Sequence, residues 1–453
     1  MTFSRPASPA SRRLAAALLL GAACLPRAAA AQDEDLAPRA RLTVTQQLSI
    51  DDGNLIGVTP LDLSLQTGTR SQILSFSASA PLRQGDPEDD NFLGVGDRQA
   101  RLLYRRFVRN SSIEVQGRYV DADLERLIFF DDIIDDIVTL DGGRRADSSL
   151  RGGYAFGSQS KLGGEFNLGY LDRTYKDTSD PDLTDSNTVE GSGTIYLEPT
   201  PLIRARILAS GLETDSDGGT DTRSHRFGAG ASMQVNRLVN LDVELAQAHT
   251  RREDQQDGSV EESDGLSVRS SLTYLRPDGE VTLSLSSDPG TKGRRDRVRI
   301  GRSFERPGYE LAIGAGLTRL DEGDPDPTFQ LTYSTQPSRL SSLSASLQRE
   351  AISDLDGNEA INTSLRSSYS RQLSEQSSIG ISLFYRQSEV QRGDKEDARS
   401  TALDINYSHA IGRDFSVVAG LNVTRSRESG GLRDDDDEER IYVGLSRSFD
   451  FMP

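Results

Sequence analysis

Apolar and polar residues alternate along most of the chain beyond residue 40. In the stretch IGISLFY, Ile379, Ile381 and Leu383 share one face, and Gly380 and Ser382 lie on the other. A period of two over many segments is typical of β-strands whose two faces meet different surroundings. The alternating segments are roughly ten residues long, and their number predicts about 22 strands, within a range of roughly 18 to 22.

The links between these segments are of two kinds. Short links such as EPTP, RPDG and IGRD alternate along the chain with long acidic ones such as KDTSDPDLTDSN and RESGGLRDDDDEER. In a meander, this order places the short links at one end and the long links at the other. The pattern predicts an all-β protein consisting of a single transmembrane antiparallel up-and-down β-barrel, with short turns and long acidic loops.

Aromatic residues recur near the ends of the strands that lead into the short links. Their rings would form a girdle at a membrane interface, where an apolar ring with a polar rim is favoured. The alternative is that aromatics are simply common in strands, and Tyr196 indeed falls on the polar face. The girdle residues are Tyr104, Tyr154, Tyr196, Tyr274, Phe304, Tyr333, Tyr369 and Tyr407, with Tyr119, Tyr170 and Tyr385 at the opposite end.

The first residues have the layout of a secretory signal peptide. A basic stretch precedes an apolar run that ends at Leu25, and small residues lead to a cleavage site between Ala31 and Gln32. Cleavage there removes Cys24, the only cysteine, so we expect neither disulfide nor thiol chemistry in the mature chain. A twin-arginine signal or a lipid anchor on Cys24 remains an alternative.

The composition narrows the choice of partners. The formal net charge is −18, which argues against nucleic acid as a partner. Apolar residues make up only 35% of the chain, and low hydrophobicity with high net charge would by itself indicate disorder. The repeated alternation outweighs that indication, because a disordered chain has no reason to keep a period of two.

The chain ends in RIYVGLSRSFDFMP, where Ile441, Val443 and Leu445 face one way and small or polar residues the other. With the signal peptide and the meander, this strand resembles the porin-like β-barrel proteins of the Gram-negative outer membrane. The resemblance implies outer-membrane lipid and lipopolysaccharide as surroundings, and recognition of Phe449 and Phe451 by the barrel assembly machinery. In this chain the last aromatic is followed by Met452 and Pro453.

The resemblance implies three regions: a signal peptide at 1–31, a short periplasmic segment at 32–40, and the barrel at 41–453. A separate N-terminal plug is not expected, since few residues lie between the cleavage site and the first strand. A barrel of this size is too wide for wall side chains to fill. We therefore expect a channel for passive diffusion or export of small polar or charged solutes. The alternative is a non-conducting surface barrel with a structural, adhesive or polysaccharide-export role.

Arginines recur on the polar faces and are expected to line the interior. In one interpretation they face inward only because facing lipid would cost about 2–4 kcal/mol at the midplane. In the other they form a ladder for anionic solutes, since rings of charge set pore selectivity. The residues are Arg101, Arg105, Arg204, Arg206, Arg269, Arg297, Arg299, Arg366 and Arg386.

The loop at 125–143 is the only long apolar one, and its spacing allows a short amphipathic helix. It is similar in place and chemistry to the porin loop that folds into the barrel and narrows it. The alternative is a strand extension or a helix at the barrel rim. Its candidate constriction residues are Asp131, Asp132, Asp135 and Asp136.

Catalytic and metal-binding motifs are missing from the sequence. The three histidines, His225, His249 and His409, lie near strand ends and form no set with a nucleophile, so we expect no enzymatic activity and no cofactor. The acidic loops lack the spacing of a calcium loop. They are either solvated faces or places where divalent cations bridge to lipopolysaccharide.

Overall fold

The computed structural model describes residues 38–51, 53–85, 93–124, 143–178, 183–256, 258–290, 293–321, 323–353, 359–392, 397–428 and 436–451. The expected signal peptide and the constriction aspartates lie outside these ranges, as does the end of the chain. The residues concerned are Ala31, Gln32, Asp131, Asp132, Asp135, Asp136, Met452 and Pro453.

Strands make up nearly all of the described chain, in agreement with the alternating pattern. No helix in these ranges is long and apolar enough to cross a membrane. The strands are β1 (Arg39–Asp51), β2 (Asn54–Thr69), β3 (Gln72–Gln84), β4 (Leu93–Val95), β5 (Arg98–Val108), β6 (Ser111–Asp123), β7 (Arg144–Phe156), β8 (Leu162–Lys176), β9 (Ser186–Thr200), β10 (Ile203–Ser216), β11 (Thr220–Asn236), β12 (Val239–Asp254), β13 (Val260–Arg276), β14 (Gly279–Asp288), β15 (Arg295–Arg306), β16 (Tyr309–Leu320), β17 (Asp326–Ser338), β18 (Ser341–Ser353), β19 (Glu359–Gln372), β20 (Ser377–Arg392), β21 (Ala398–Ala410), β22 (Phe415–Glu428) and β23 (Asp436–Phe451).

The strands form one closed antiparallel barrel. Each long strand pairs with its neighbours in the chain. One edge of β3 pairs with β2, and the other edge pairs with β5 and, at its end, with the short β4. The last strand returns to the first, from Ala40 opposite Phe451 to Asp51 opposite Arg440. Without β4 the wall has 22 strands, so the predicted count is confirmed. The first strand begins at Arg39, two residues before the expected start of the barrel.

The two faces of the wall differ as the alternation predicts. Leu42, Leu48 and Ile50 of β1 lie opposite Phe449, Val443 and Ile441 of β23 on one face. Almost all large exposed apolar side chains share this face, which we call the outer face. Leu168 is 71% exposed there and Ile300 57%. Such a surface has no partner in the chain and suits lipid.

The inner face carries small and polar side chains and only thin apolar clusters. One cluster, near the ends of β6 and β8, joins the buried Val120, Ala122 and Leu124 to Tyr175 and Leu183. Glycines let large inner side chains lie flat along the wall. A Cβ at Gly420 would lie 2.5 Å from the ring of Tyr442 on the next strand, so a side chain here would displace that ring.

Short links lie at one end of the barrel, which we call the turn end, and the long links lie at the other, the loop end. The first strand begins and the last strand ends at the turn end. Short links such as 70–71, 237–238 and 339–340 lie at the turn end. At the loop end the strands run beyond the apolar belt, so much of the acidic sequence is paired strand. The acidic stretch after Leu212, for example, leaves only residues 217–219 as a loop between β10 and β11.

Arginine substitutions at two neighbouring positions of one strand should differ in their effect on the free energy of unfolding, because the two side chains lie on opposite faces. Ile405 lies in the middle of the apolar face of β21, and Asn406 faces inward, donating a hydrogen bond to Asp404 at 3.0 Å. We expect Ile405→Arg to lower the free energy of unfolding by about 2–4 kcal/mol, because its guanidinium would face lipid.

The matched variant Asn406→Arg should cost much less, because the new charge faces Asp404 and water. Equilibrium urea unfolding in lipid vesicles measures both free energies. Equal losses for the two variants would contradict the assignment of the faces.

Candidate functional site

The inner face of the barrel is a network of arginines and carboxylates. Arg206 on β10 donates paired hydrogen bonds to Asp242 on β12, at 2.7 and 2.8 Å, and a third to Glu244 at 3.0 Å. Arg226 on β11 donates to the other oxygen of Glu244 at 2.5 Å. Since β11 lies between β10 and β12, these bonds lock the side chains of three strands together. Charged hydrogen bonds with this paired geometry are among the stronger ones in proteins.

The register places the arginines predicted to line the interior on the inner face. On β15, Arg297 and Arg299 alternate with Val298 and Ile300, which are exposed on the outer face. The other predicted residues follow the same rule, namely Arg101 and Arg105 on β5, Arg204 and Arg206 on β10, Arg269 on β13, Arg366 on β19 and Arg386 on β20.

These arginines do not converge on a single ring. Arg204 directly follows a short turn, whereas Arg386 lies in the second half of its strand. Several are bonded to a carboxylate: Arg105 to Glu114 at 2.5 Å, and Arg204 to Glu198. The arrangement favours the structural interpretation, in which inward charges neutralise one another. The anion ladder stays a prediction.

The carboxylate partners were only partly visible in the sequence. Glu114, Asp242 and Glu244 have the parity of inward-facing residues in the sequence, but nothing in the sequence indicates which arginine each would meet. The pairing depends on the register between strands that are separated by a turn or by a third strand. The one usable signal in the sequence is the position of each residue in the alternation, because two side chains that bond to each other must lie on the same face of the wall.

Aromatic rings on the inner face pair with arginines rather than with lipid. The guanidinium carbon of Arg204 lies 4.7 Å from the centre of the Tyr196 ring, and that of Arg366 lies 5.4 Å from Phe384. This explains why Tyr196 departs from the girdle pattern. The other predicted girdle residues share a face with apolar neighbours, as Tyr333 does with Leu311 opposite it.

A second sector of the interior is lined by hydroxyl groups. On β18 and β19, Ser342 meets Ser370 and Ser344 meets Ser368, each at 2.7 Å between the hydroxyl oxygens. A similar hydroxyl pair, Ser400 with Ser426 at 3.0 Å, lies between β21 and β22. Uncharged donors and acceptors of this kind can exchange hydrogen bonds with water or a polar solute. The interior therefore combines an ion-paired sector with a hydroxyl-lined one.

The inner wall forms a recess between β6 and β11 with a volume of about 820 Å³. Small side chains leave this space: a Cβ at Gly169 would collide with the carboxylate of Glu190. Glu165 accepts a hydrogen bond from Asn167 at 3.0 Å, and Glu190 lies 3.4 Å from Arg151. The lining includes Ser112, Glu114, Gln116, Arg151, Glu165, Asn167, Gly169, Glu190, Ser192, Ser210, Leu212 and Ser224.

A buried carboxylate holds the strand ends beside residues 125–142. Asp121 of β6, whose side chain is 2% exposed, accepts hydrogen bonds from Arg98 of β5 at 2.7 Å and from Arg144 of β7 at 2.9 Å. Arg144 also donates to Asp123 at 2.6 Å. The cluster ties the end of β6 to the start of β7, the two strands between which the candidate constriction loop lies in the sequence. Whether that loop enters the interior stays a prediction, because its aspartates lie outside the described residues.

The histidines lie on the outer face at or near strand ends. His225 stands opposite His249, and Nδ1 of His249 lies 2.8 Å from Asp264 on the next strand. Within the described ranges, no group of three or more histidine, cysteine, aspartate or glutamate side chains is arranged to hold a metal ion.

Comparison with known proteins shows which solved structures have a similar fold. No protein-family model matches the chain, and no curated protein matches it. The chain is similar to two variants of the FrpB iron transporter from Neisseria meningitidis, at 9% and 10% identity and a TM-score of 0.59 for each, covering 91% and 92% of this chain and 82% of each FrpB chain. The fold is that of a Gram-negative outer-membrane barrel.

A third solved structure agrees. It is a mutant of the ferric enterobactin receptor PfeA from Pseudomonas aeruginosa, in complex with enterobactin, at 10% identity and a TM-score of 0.54, covering 91% of this chain and 81% of the receptor. At these identities the similarity establishes the barrel architecture alone. The expected outer-membrane fold is thus confirmed, whereas the porin function is a separate question.

The ion-pair network makes a testable stability prediction. Arg206→Gln should lower the free energy of unfolding by about 1–3 kcal/mol, because Asp242 loses its arginine and Glu244 loses one of its two arginines. Arg204→Gln is the matched control on the same strand. The Arg204 side chain is 52% exposed, against 17% for Arg206, so its loss should cost at most about 1 kcal/mol. Urea unfolding in vesicles measures both, and a larger loss for Arg204→Gln would refute the ranking.

Proposed function

We propose that this protein is an outer-membrane channel for the diffusion or export of small polar or charged solutes. One observation carries the proposal: the described residues lie almost entirely in the 22 strands and their links, so they bound the interior without filling it. The side chains of a wall this large cannot close the space by themselves. The polar inner face supports passage of water and hydrophilic solutes.

The charge pattern suggests which solutes would pass. Arginines and carboxylates on the inner face are largely paired, which leaves no strong preference for anions within the wall. The loop end is rich in carboxylates, and clefts lined by one sign of charge concentrate the opposite ion. We therefore propose a weak preference for cations.

A ligand-uptake receptor is the second candidate function. The observation in its favour is the similarity of the whole barrel to an iron transporter and a ferric enterobactin receptor. Such a function requires a ligand held at the barrel, and we find no described cluster that singles one out. A non-conducting structural or adhesive barrel, including one associated with polysaccharide export, is the remaining alternative.

The proposal includes the surroundings that this location implies. Outer-membrane lipid and lipopolysaccharide would contact the apolar outer face. The barrel assembly machinery would recognise the last strand, where Phe449 and Phe451 lie on the outer face opposite Leu42 and Ala40. Divalent cations would bridge acidic residues of the loop end to lipopolysaccharide.

Single-channel recording tests the channel directly. The full-length mature protein, refolded and inserted into planar lipid bilayers, should give stable ionic currents at both polarities, with a reversal potential that shows weak cation preference in a salt gradient. Protein denatured by heat before insertion is the control. An inserted, folded barrel that carries no current would refute the channel. Binding of a ferric siderophore by that non-conducting barrel would favour the receptor.

The recess predicts a selectivity change. Glu165→Gln combined with Glu190→Gln should shift the reversal potential towards anions, because two carboxylates leave the inner face. The matched control is Glu213→Gln, which removes a carboxylate from the outer face, where it lies 2.8 Å from Arg223. The control should leave the reversal potential unchanged. Equal shifts for both would show that the overall charge, and not the interior, sets selectivity.

A further inference from the structure

The two ends of the barrel differ in charge. Acidic residues crowd the loop end, as in the segment 436–439, whereas basic residues occupy most of the short turns. The turn residues face the compartment at that end, but other arginines lie on the outer face close to the turns. The basic turn residues are Arg70, Arg109, Lys161, Arg237, Arg339 and Arg413.

Three of the outer-face arginines near the turn end lie over aromatic rings. The guanidinium carbon of Arg276 is 5.5 Å from the centre of the Tyr274 ring, and that of Arg302 is 4.6 Å from Phe304. Arg447 lies between two rings, 5.0 Å from Phe415 and 4.6 Å from Phe449. Stacking holds each planar guanidinium at a fixed height on the wall, at the level of the aromatic girdle.

Arg447 and Arg276 both lack a carboxylate partner among the described residues, and Arg447 is the one of the two that lies between two rings. It is exposed on the outer face of β23, next along that face to Leu445 and Phe449, and opposite Val44 of β1. Among the described residues it has no ion-pair partner. Arg302 differs, because it donates to Asp278 in the neighbouring turn at 2.6 Å and lowers the pKa of that carboxyl.

An unpaired arginine on a lipid-facing surface is costly in mid-membrane and tolerated at the interface. At the interface, the abundant groups that complement it are the phosphates of lipid head groups. The guanidinium presents two parallel N–H donors that match two phosphate oxygens. Its two flanking rings would meanwhile contact the upper part of the acyl chains.

We propose that Arg447, with Phe415 and Phe449, binds the phosphate of a phospholipid head group in the leaflet at the turn end. This inference rests on the membrane location given under the proposed function. It does not depend on conduction, since the site lies outside the lumen. Arg276 and Arg302 mark the same height elsewhere on the wall.

Native mass spectrometry of the full-length mature protein with phosphatidylglycerol tests the site. Arg447→Gln should weaken binding of the first lipid about fivefold, the loss expected for one arginine near a charged surface. The matched control is Arg41→Gln, which removes an arginine from the inner face at the same end, where Arg41 donates to Asp450 at 2.6 Å. The control should bind lipid as the wild type does.

Three outcomes would overturn the site: no change for Arg447→Gln, an equal loss for both variants, or equal binding of diacylglycerol, which has no phosphate. Displacement of the lipid by millimolar inorganic phosphate would identify a free-anion site instead and would also overturn it. Arg447→Lys keeps the positive charge but lacks the two parallel N–H donors of the guanidinium, so this variant should bind the lipid with intermediate strength. It also tests the site if Arg447→Gln does not fold.

A second measurement uses the absence of tryptophan from the sequence. Phe415→Trp creates a single fluorophore beside Arg447, and brominated lipids should quench it most strongly when bromine lies near the head group. Strongest quenching from the bilayer centre would contradict an interfacial site. Single-channel conductance should be unchanged by Arg447→Gln, so failure of the lipid site and failure of the channel are distinguishable.

Discussion

The structure depends on one constraint, the pairing of every backbone N–H and C=O group with a neighbouring strand. In lipid no water is present to satisfy an open sheet edge, so a sheet that crosses the membrane must close. Here closure is achieved by β1 and β23, whose residues pair without interruption from Ala40 and Phe451 to Asp51 and Arg440. The alternation of the two faces follows, since closure gives each strand one side towards lipid and one towards the interior.

Closure leaves the inner face as the place for most of the charged side chains of the wall. An acidic chain with many arginines cannot place them on the lipid face, so they share the inner face and neutralise one another across strands. The network of Arg206, Arg226, Asp242 and Glu244 shows how this also stabilises the wall. An interior built in this way is polar, and many of its charges are paired. In the proposed channel, solute preference would be set by the mouths and by local recesses more than by the average charge of the wall.

The outer face carries a few charged residues outside its apolar belt, and these mark the height at which the barrel would sit in a membrane. Charged outer-face residues occur beyond the apolar belt at the loop end, as with Glu213 and Arg223. At the turn end they include the arginines stacked on rings, Arg276, Arg302 and Arg447. The belt is therefore bounded by paired charges on one side and by arginine–aromatic contacts on the other. Such different boundaries suit the two chemically different leaflets of an outer membrane.

Sequence alone determined the strands, their approximate number and the direction of nearly every side chain, because a period of two is a local property that each strand carries by itself. It also placed Tyr333 and Tyr369 correctly and marked Tyr196 as an exception. Only the tertiary structure decided which side chains meet: Arg206 with Asp242, Tyr196 with Arg204, Arg447 with two phenylalanines. Those contacts depend on the register between strands, which closure of the whole barrel sets and no single segment encodes.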